Sequence, residues 1–497
     1  MQHPALHIRG GRIESAAGSE RPRLFIDGAE LELPSGAVLV PGLVDTHCHL
    51  IGLGLMASRV VLQGAGSAAE CARRTAERAA ATPKGEWILG FGWNQEEWDV
   101  RQMPDKKDLD DLVPDHPVFL SRIDSHMAWL NSAALRAAGI EVMEMEGGRV
   151  VAGEDGTPNG ILIDTAMALA ERATPKPTSD QQRRWIEWSV QECLRLGITE
   201  VHDMNVEPER MEGMIRAAEG GGMNLRCQVF LAAQKEEWRA FPDPGTVAPN
   251  LHLAGVKYFA DGALGSRGAL LLEPYSDDPD TCGLRLLSAP ELEGLAAPAA
   301  ARGFAVATHS IGDGANRLVL DAYERLRERY PEALLRVEHA QIVHPDDVPR
   351  FASLGVIAAM QAIHYISDAS MAESRLGPVR CSYAYGWGAL RQLGVPLLGG
   401  SDFPVESADP LAGLRAYHFR EPVPGAGPRY PRQAISREDA LAAYTSWAPL
   451  GIPGVHRRGR LVPGYDADIT VLDGDPFDAA TQAVMTIVGG KVVYERT

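Results

Sequence analysis

The sequence lacks paired cysteines and long apolar runs. Its six cysteines show no CxxC spacing, so we expect reduced thiols rather than a disulfide framework. No segment reaches the ~20 consecutive apolar residues of a membrane span. The N-terminal residues MQHPALHIRGGRIESA contain no apolar core of the kind found in signal peptides. These absences predict a cytoplasmic protein.

Positive charge is also scarce. The 48 lysines and arginines are outnumbered by 66 aspartates and glutamates, which gives a formal net charge of −18. This charge repels phosphate backbones and anionic membrane surfaces, so we expect neither a nucleic-acid nor a membrane partner. The hydrophobic fraction of 45% and the charged fraction of 23% are typical of a globular chain. The expected partner is a small-molecule substrate. The oligomeric state stays open, with a homo-oligomer as one alternative.

The stretch Val38 to Leu50, VLVPGLVDTHCHL, joins an apolar run to a polar end. An apolar run bounded by Pro and Gly predicts a strand buried on both faces. Side chains two apart in a strand point to the same side, so His47 and His49 are expected to present two imidazoles to one point. Because an unpartnered imidazole is costly to bury, the pair indicates metal ligation. Cys48 is expected to point away from the metal and to pack.

Apolar strand-like runs alternate with helix-like stretches through the middle of the chain, which is typical of parallel βα units. With the first strand they predict an α/β fold of the eight-stranded (β/α)8 TIM-barrel type. Short strands at both ends, residues 1–40 and 455–497, predict one composite β domain beside a barrel of residues 41–454. The seven further barrel strands are expected at 198–204, 225–232, 256–262, 304–310, 335–341, 356–361 and 395–403.

The first and second predicted strands are separated by far more chain than the roughly 30 residues of a βα unit. Residues from about 58 to 175 are therefore predicted to form an insertion after the first strand. Loops at the C-terminal ends of barrel strands form the active face of such barrels. We therefore expect the insertion to cover that face and to contact the substrate.

Chemically capable side chains fall on the predicted strands. Lys257 lies in the fourth strand, His309 ends the fifth and His339 ends the sixth, and Asp402 ends the eighth. Each alone has an ordinary explanation, as a solvated lysine, a satisfied core histidine or a turn aspartate. Their joint placement at the rim that carries the two histidines of the first strand predicts a single site.

These motifs resemble a known family. THCH, followed by a strand lysine, two strand-terminal histidines and a strand-terminal aspartate, resembles the amidohydrolase superfamily of metal-dependent hydrolases. Within it, GWNQEEW, SHMAWLNSAAL, KYFADGALGSRGALL, THSIGDGAN, EHAQIVHPDD and GGSDFPVE resemble the amidohydrolase-3 branch, which includes N-substituted formamide deformylase. The resemblance extends over nearly the whole chain, to GRLVPGYDADITVL.

The resemblance implies a centre of one or two divalent metal ions. Lys257 would bridge the ions, but an ammonium of pKa ~10.4 is a cation and cannot ligate, so it would first react with carbon dioxide to form a carbamate. Imidazole and carboxylate ligands suit zinc, although ligand softness alone does not exclude iron, manganese or nickel. The implied ligands are His47, His49 and Asp402 for the first ion, His309 and His339 for the second, and Lys257 between them.

The implied reaction is hydrolysis of a non-peptide carbon–nitrogen bond, as in an N-acyl or N-formyl amide. Metal-activated hydroxide would attack the carbonyl, and Asp402 would serve as general base and then as general acid. His126, in DSHMAWLNSAAL, is a second expected catalytic residue that would hydrogen-bond the substrate carbonyl. Arg267 is expected to contact a polar substrate group.

Other residues have weaker expected roles. The tryptophans are expected to wall an apolar substrate pocket; they are Trp93, Trp98 and Trp129. Three histidines are expected not to be ligands: His202 as a neighbour of the ligands, and His344 and His364 as loop or pocket-lining residues.

Two alternative functions stay open. A deaminase of a cyclic amidine would use the same barrel, but such relatives generally use one metal and lack the bridging lysine, so Lys257 argues against it. A non-catalytic amidohydrolase-like scaffold would have no need to retain all six ligand residues. Ammonia release from amidines would favour the first alternative, and a Lys257→Ala variant tests the second.

Overall fold

The first apolar run forms two strands rather than the one continuous strand that was expected. The computed structural model describes residues 3–124, 126–423, 425 and 427–496. In it, Val38–Pro41 and Leu43–Cys48 belong to different sheets. The chain changes sheet at Gly42, where a Cβ atom would lie 2.3 Å from Thr199 Oγ1. Only glycine permits this close approach, and Pro41 before it has no N–H for a continuous ladder.

Eight parallel strands form the TIM-type barrel, which confirms the predicted fold class. The first and eighth strands meet through the hydroxyl of Thr46, which donates to Gly399 O over 3.0 Å. The strand Gly245–Ala248 pairs antiparallel with β4. The barrel strands are β1 Leu43–Cys48, β2 Ile198–Val206, β3 Arg226–Ala232, β4 Leu251–Phe259, β5 Ala305–Ser310, β6 Leu335–His339, β7 Ile357–Met360 and β8 Leu397–Gly399.

Helices follow the barrel strands. Their starts match local sequence signals; for example, Ser436 Oγ accepts the N–H of Asp439 over 3.0 Å at the start of Arg437–Ala443. Among the helices within the described ranges, none has the length and apolarity needed to cross a membrane. The α-helices that follow β2 to β8 are Met211–Glu219, Ala289–Ala301, Asp313–Arg329, Val348–Leu354, Ala362–Asp368, Ala372–Cys381, Trp387–Gln392, Pro410–Phe419 and Arg437–Ala443. Short 3₁₀ helices lie at Pro208–Arg210, Glu236–Ala240, Pro431–Gln433 and Ala448–Gly451.

The strands near the two ends of the chain form two four-stranded sheets. They share an apolar core that includes Leu6, Leu24, Ile469 and Ile487. The second sheet pairs an N-terminal strand with C-terminal ones, because Val38–Pro41 runs antiparallel to Ile469–Leu472. The first sheet contains His3–Arg9, Arg12–Ser19, Arg23–Ile26 and Ala29–Leu31, and the second contains Val38–Pro41, Ile469–Leu472, Ala483–Val488 and Lys491–Glu495.

Residues Gly54–Gln181 form a second compact unit, which includes the predicted insertion 58–175. The chain passes into it within the helix Leu50–Ser58 and out of it within the helix Ser179–Arg195. That it covers the active face stays a prediction. Its sheet contains Val60–Val61, Ile88–Trp93, Val118–Arg122, Met127–Leu130, Glu144–Met145, Gly148–Ala152 and Pro158–Asp164, and its helices are Ala68–Ala80, Gln95–Glu97 (3₁₀), Lys106–Asp110, Ser132–Ala138 and Met167–Ala173.

Candidate metal centre

Four imidazoles and one carboxylate gather at the C-terminal ends of the barrel strands. The ring centroid of His339 lies 4.7 Å from that of His47 and 4.5 Å from that of His309. Asp402 Oδ1 lies 3.1 Å from His49 Nε2 and 3.6 Å from His47 Nε2. The structure thus brings these five predicted ligand residues together, although they come from β1, β5, β6 and the segment after β8.

The sixth predicted ligand, Lys257, points into the same cluster from β4. Its side chain is buried, and its Nζ lies 3.4 Å from His47 Nε2. Burial lowers the pKa of Lys257 to about 8, although the carboxylates of Glu338 and Asp402 act in the opposite direction. At pH 7 an amine of this pKa is neutral in about a tenth of the molecules, against less than a thousandth for an ordinary lysine. Only the neutral amine can react with carbon dioxide.

Three of the imidazoles are oriented by acceptors behind them. A neutral imidazole carries one N–H, and when Nδ1 donates it, the lone pair of Nε2 is left facing the cluster. Burial lowers the pKa of His47 and of His339 well below the usual value, which keeps both neutral. The three bonds are His47 Nδ1–H to Glu338 Oε2 (2.7 Å), His49 Nδ1–H to Met204 O (3.0 Å) and His339 Nδ1–H to Gln361 Oε1 (2.7 Å).

The chemistry of this donor set fits a divalent cation. Because His49 donates its hydrogen at Nδ1, its Nε2 and Asp402 Oδ1 are two acceptors that face each other over 3.1 Å. Within the described residues, Asp402 Oδ1 is buried without a hydrogen bond. A cation between the two lone pairs removes this repulsion. The ligand atoms of His47, His49 and Asp402 all lie within 4.8 Å of one another, which a single ion can span.

His364 also reaches the cluster, which sequence analysis did not predict. Its Nε2 lies 3.7 Å from Asp402 Oδ2. Its Nδ1 accepts a hydrogen bond from Gln341 Nε2 over 3.3 Å, and the same amide nitrogen lies 3.4 Å from Asp368 Oδ2. His364 therefore carries its hydrogen on Nε2, the reverse of the three ligand imidazoles. In this tautomer it is a hydrogen-bond donor that faces the site. Among the described residues its Nε2 has no hydrogen-bond partner, and His364 also forms, with His339 and Asp402, a second group whose ligand atoms lie within 4.8 Å of one another.

His309 differs from the other imidazoles. Its Nε2 lies 3.4 Å from Gly262 O and 3.5 Å from Asp261 Oδ1. Burial, the largest cause, and the neighbouring Lys257 lower the pKa of His309 to about 3. Its ring contacts that of His339.

The backbone at two ligand residues is strained. His339 has φ +73° and Asp402 has φ +63°, in the left-handed region that side chains other than Gly rarely adopt. Hydrogen bonds to neighbouring strands fix the backbone at both positions. Asp402 N donates to His47 O over 2.7 Å, and Ala340 N, next to His339, donates to Ser310 O over 3.0 Å. Such strain persists where the surrounding structure fixes it, and it clusters at functional sites.

Sequence analysis missed the residues that hold the ligands in place. Asp45, Glu338 and Gln361 are all buried. Asp45 and Glu338 are acidic residues inside otherwise apolar strands, next to predicted ligands, and this would have been the signal. Burial raises the pKa of Asp45 to about 7, while hydrogen bonds from Ser401 and His47 N oppose that rise.

The tryptophans predicted to wall a substrate pocket pack together in the core of the second unit. Trp93 and Trp129 are fully buried and Trp98 is nearly so. Their rings pack against one another at centroid distances of 6.2 to 6.5 Å inside the second unit. Their large apolar surfaces stabilise that unit, although Trp98 also borders a pocket there. That any of the three contacts a substrate stays a prediction.

Two other predicted substrate contacts have carboxylate partners. His126 is exposed in the second unit, and its Nδ1 donates to Asp164 Oδ1 over 2.8 Å. Arg267 donates to Asp277 through Nε (3.2 Å) and Nη2 (3.1 Å), and Asp277 also pairs with Arg375. Arg267 thus pairs with a residue of its own loop, the one between β4 and Ala289–Ala301. Its contact with a substrate stays a prediction, as does that of His126.

Known proteins resemble this chain over almost all of its length. Residues 35–494 match the model of the Amidohydrolase family. Protein YtcJ of Bacillus subtilis (strain 168) is 33% identical over 99% of this chain and 96% of its own. Protein LONG AFTER FAR-RED 3 of Arabidopsis thaliana is 32% identical over 99% of this chain and 88% of its own. The N-substituted formamide deformylase of Arthrobacter pascens is 27% identical over 99% and 95%.

A solved structure agrees with these sequence relatives. The crystal structure of an uncharacterized metal-dependent hydrolase from Pyrococcus furiosus has a TM-score of 0.75 to this chain at 28% sequence identity, and the match covers 95% of each chain.

Proposed function

The chain belongs to the amidohydrolase family, and from this premise we propose that it is a metal-dependent hydrolase that cleaves a carbon–nitrogen bond other than a peptide bond. The proposed substrates are N-acyl or N-formyl amides. The similarity to the N-substituted formamide deformylase supports this class of bond. The similarity to the Pyrococcus furiosus hydrolase supports a requirement for metal.

The proposed centre holds one or two ions, of which zinc is the best match to imidazole and carboxylate ligands. Lys257 would join it as a carbamate, since the amine itself is a poor ligand whenever it is protonated. The proposed ligands are His47, His49 and Asp402 for one ion, His309 and His339 for the other, and the carbamate of Lys257 as the bridge.

Asp402 is the proposed proton acceptor. When bound, zinc would lower the pKa of its water toward neutral pH, and the ion itself would polarise the carbonyl oxygen of the substrate. The imidazoles of His49 and His47 lie 3.1 and 3.6 Å from Asp402 Oδ1, and a metal ion bound by these residues would favour the ionised carboxylate. The carboxylate can therefore take a proton from the attacking water and return it to the leaving nitrogen. Its Oδ2 lies 3.7 Å from Nε2 of His364.

One observation carries the proposal most directly. Asp402 Oδ1 and His49 Nε2 approach to 3.1 Å with both lone pairs inward. A fold selected only for stability would place a hydrogen between two such atoms or separate them. The contact is the one expected of two ligands that share a cation.

The test is a chelation and reloading experiment on purified protein. Metal content is measured, then turnover of a panel of N-formyl amides, N-acyl amides, cyclic imides, ureas and lactones is measured before chelation, after chelation and after zinc is restored. We expect amide cleavage that disappears with the metal and returns with it. Asp402→Asn is the matched control, because it retains the size of the side chain but removes the proton acceptor. Full turnover by metal-free protein would contradict the proposal.

The same panel separates the alternative reaction. Ammonia release from cyclic amidines, with no cleavage of any amide, would assign the barrel to a deaminase. Lys257 opposes this assignment, because its Nζ lies in contact with His47, where a bridging group of a two-ion centre is required.

A further inference from the structure

A chain of buried charges leads from the metal centre into the barrel. Glu338 and Arg336 lie two residues apart on β6, and both are fully buried. Glu338 Oε2 accepts the Nδ1–H of His47 over 2.7 Å. Arg336 donates twice to the same carboxylate, from Nε over 2.9 Å and from Nη2 over 3.1 Å. Barrel interiors are usually filled by branched apolar side chains, so charges placed here carry a large desolvation cost.

The guanidinium of Arg336 is itself fixed. Nη2 donates to Thr46 O over 2.9 Å, and Nη1 donates to Gly451 O over 3.1 Å and to His202 Nδ1 over 3.0 Å. Its plane lies over the ring of Phe230, 4.7 Å from the centroid. Since these contacts come from separate parts of the barrel, the guanidinium cannot follow a moving carboxylate. The position of Glu338 is therefore set by the fold.

We propose that Glu338, anchored by Arg336, is a positioning residue that holds His47 in its metal-binding orientation and raises the affinity of the centre for its metal. A carboxylate that accepts the Nδ1–H of a ligand imidazole fixes its tautomer and ring angle, and it makes Nε2 a stronger donor to the metal. Arg336 balances the charge of this carboxylate. The inference rests on the metal-binding part of the proposed function and is independent of the substrate.

The chain offers a matched control pair elsewhere. Asp468 accepts two hydrogen bonds from Arg226, from Nε over 2.9 Å and from Nη2 over 3.1 Å. This pair is also largely buried, and Asp468 accepts its third hydrogen bond from Gly489 N over 2.7 Å rather than from an imidazole. Asp468→Asn therefore removes one carboxylate charge beside a buried arginine, as Glu338→Gln does, but away from the metal ligands.

The experiment compares wild type, Glu338→Gln, Glu338→Asp and Asp468→Asn. Zinc affinity is measured by competition with a chelator, fold by the Tm of the chelated protein, and ligand geometry by the visible absorption spectrum of the cobalt-loaded protein. We expect Glu338→Gln to bind zinc 10–100-fold more weakly with an altered cobalt spectrum. Asp468→Asn is expected to lower Tm and to leave the zinc affinity and the spectrum unchanged.

Glu338→Asp covers the case in which Glu338→Gln does not fold. It keeps the charge beside Arg336 but withdraws it from His47 by one methylene, so it is expected to fold and to lose part of the affinity. Wild-type zinc affinity in either folded Glu338 variant would overturn the inference, and so would an equal loss in Asp468→Asn. Failure of the proposed function would appear differently, as zinc-loaded wild type that cleaves no amide, and would leave these affinities unaffected.

Discussion

The hydroxyl of Ser401 donates to Asp45 Oδ2 over 2.6 Å. Asp45 also accepts the backbone N–H of His47 over 3.1 Å and that of Ser401 over 3.2 Å. One carboxylate thus fixes the strand that carries His47 and the residue next to Asp402. The predicted ligands His47 and Asp402, which are far apart in the sequence, keep their spacing because His47 itself and the neighbour of Asp402 are bonded to the same side chain.

Removing the hydroxyl of Ser401 is expected to loosen this link. Ser401→Ala removes one of the hydrogen bonds that the buried carboxylate of Asp45 accepts. We expect this loss to lower the unfolding free energy by about 1–3 kcal/mol. Weaker zinc binding should accompany the loss, measured by denaturant unfolding and chelator competition. Thr486→Val is the control, because it removes a buried hydroxyl that donates to Leu194 O over 2.7 Å in the C-terminal sheet. Equal zinc affinity in both variants would contradict the proposed link.

Activation by carbon dioxide is expected to depend on pH through Lys257. Because burial lowers the pKa of Lys257 to about 8, the neutral fraction rises as the pH rises toward 8 and levels off above it. The rate at which metal-free protein gains activity with zinc and bicarbonate should follow this curve. Carbamate formation is measured by ¹³C NMR with labelled bicarbonate. Lys257→Ala should give no carbamate signal while the fold is kept, and a rate that does not change with pH would contradict the prediction.

His364 is expected to affect turnover without holding metal. His364→Ala should retain the wild-type number of bound zinc ions, because its Nε2 carries a hydrogen, and should lower kcat/KM by about 100-fold through loss of a donor in the site. His364→Gln keeps an N–H donor and should recover part of the rate. His339→Ala, by contrast, should lose bound zinc. Metal analysis and steady-state kinetics separate these results, and loss of a zinc ion from His364→Ala would show that it is a ligand.

Trp129 is expected to matter for stability only. Its indole N–H donates to Asp105 O over 3.0 Å, and its ring lies in the core of the second unit. Trp129→Ala should therefore reduce the unfolding free energy of that unit by about 3–5 kcal/mol through the cavity it leaves. Calorimetry and zinc analysis of the same sample test this. A stable variant with altered substrate preference would restore the pocket interpretation.

Much of this molecule follows from its sequence. The alternation of apolar and helical segments predicts the barrel, because each strand of a parallel sheet must be apolar on both faces. The ligand residues are visible because a polar side chain at the end of such a strand stands out. The structure brings all six together, from Lys257 on β4 to Asp402 after β8.

What the sequence hides depends on contacts between distant segments. Glu338 gives no sign that its partner is His47, and the tautomer of His364 depends on Gln341, which lies on another segment. Burial is hidden as well. Trp93 is of a residue type that often lines pockets, but it lies in the core of the second unit, as part of that unit's sheet. Tryptophan is found both in pocket walls and in cores, so the residue type alone cannot distinguish the two locations.

The division at Gly42 has a consequence for the order in which the protein matures. Val38–Pro41 finds its partner in Ile469–Leu472, so the segment immediately before the first two histidines has no neighbour until nearly all of the chain has been synthesised. A nascent chain still attached to the ribosome cannot complete this sheet, and long-range pairing of this kind is slow. This sheet therefore forms after the barrel strands have been synthesised, since the last of them, β8, ends at Gly399.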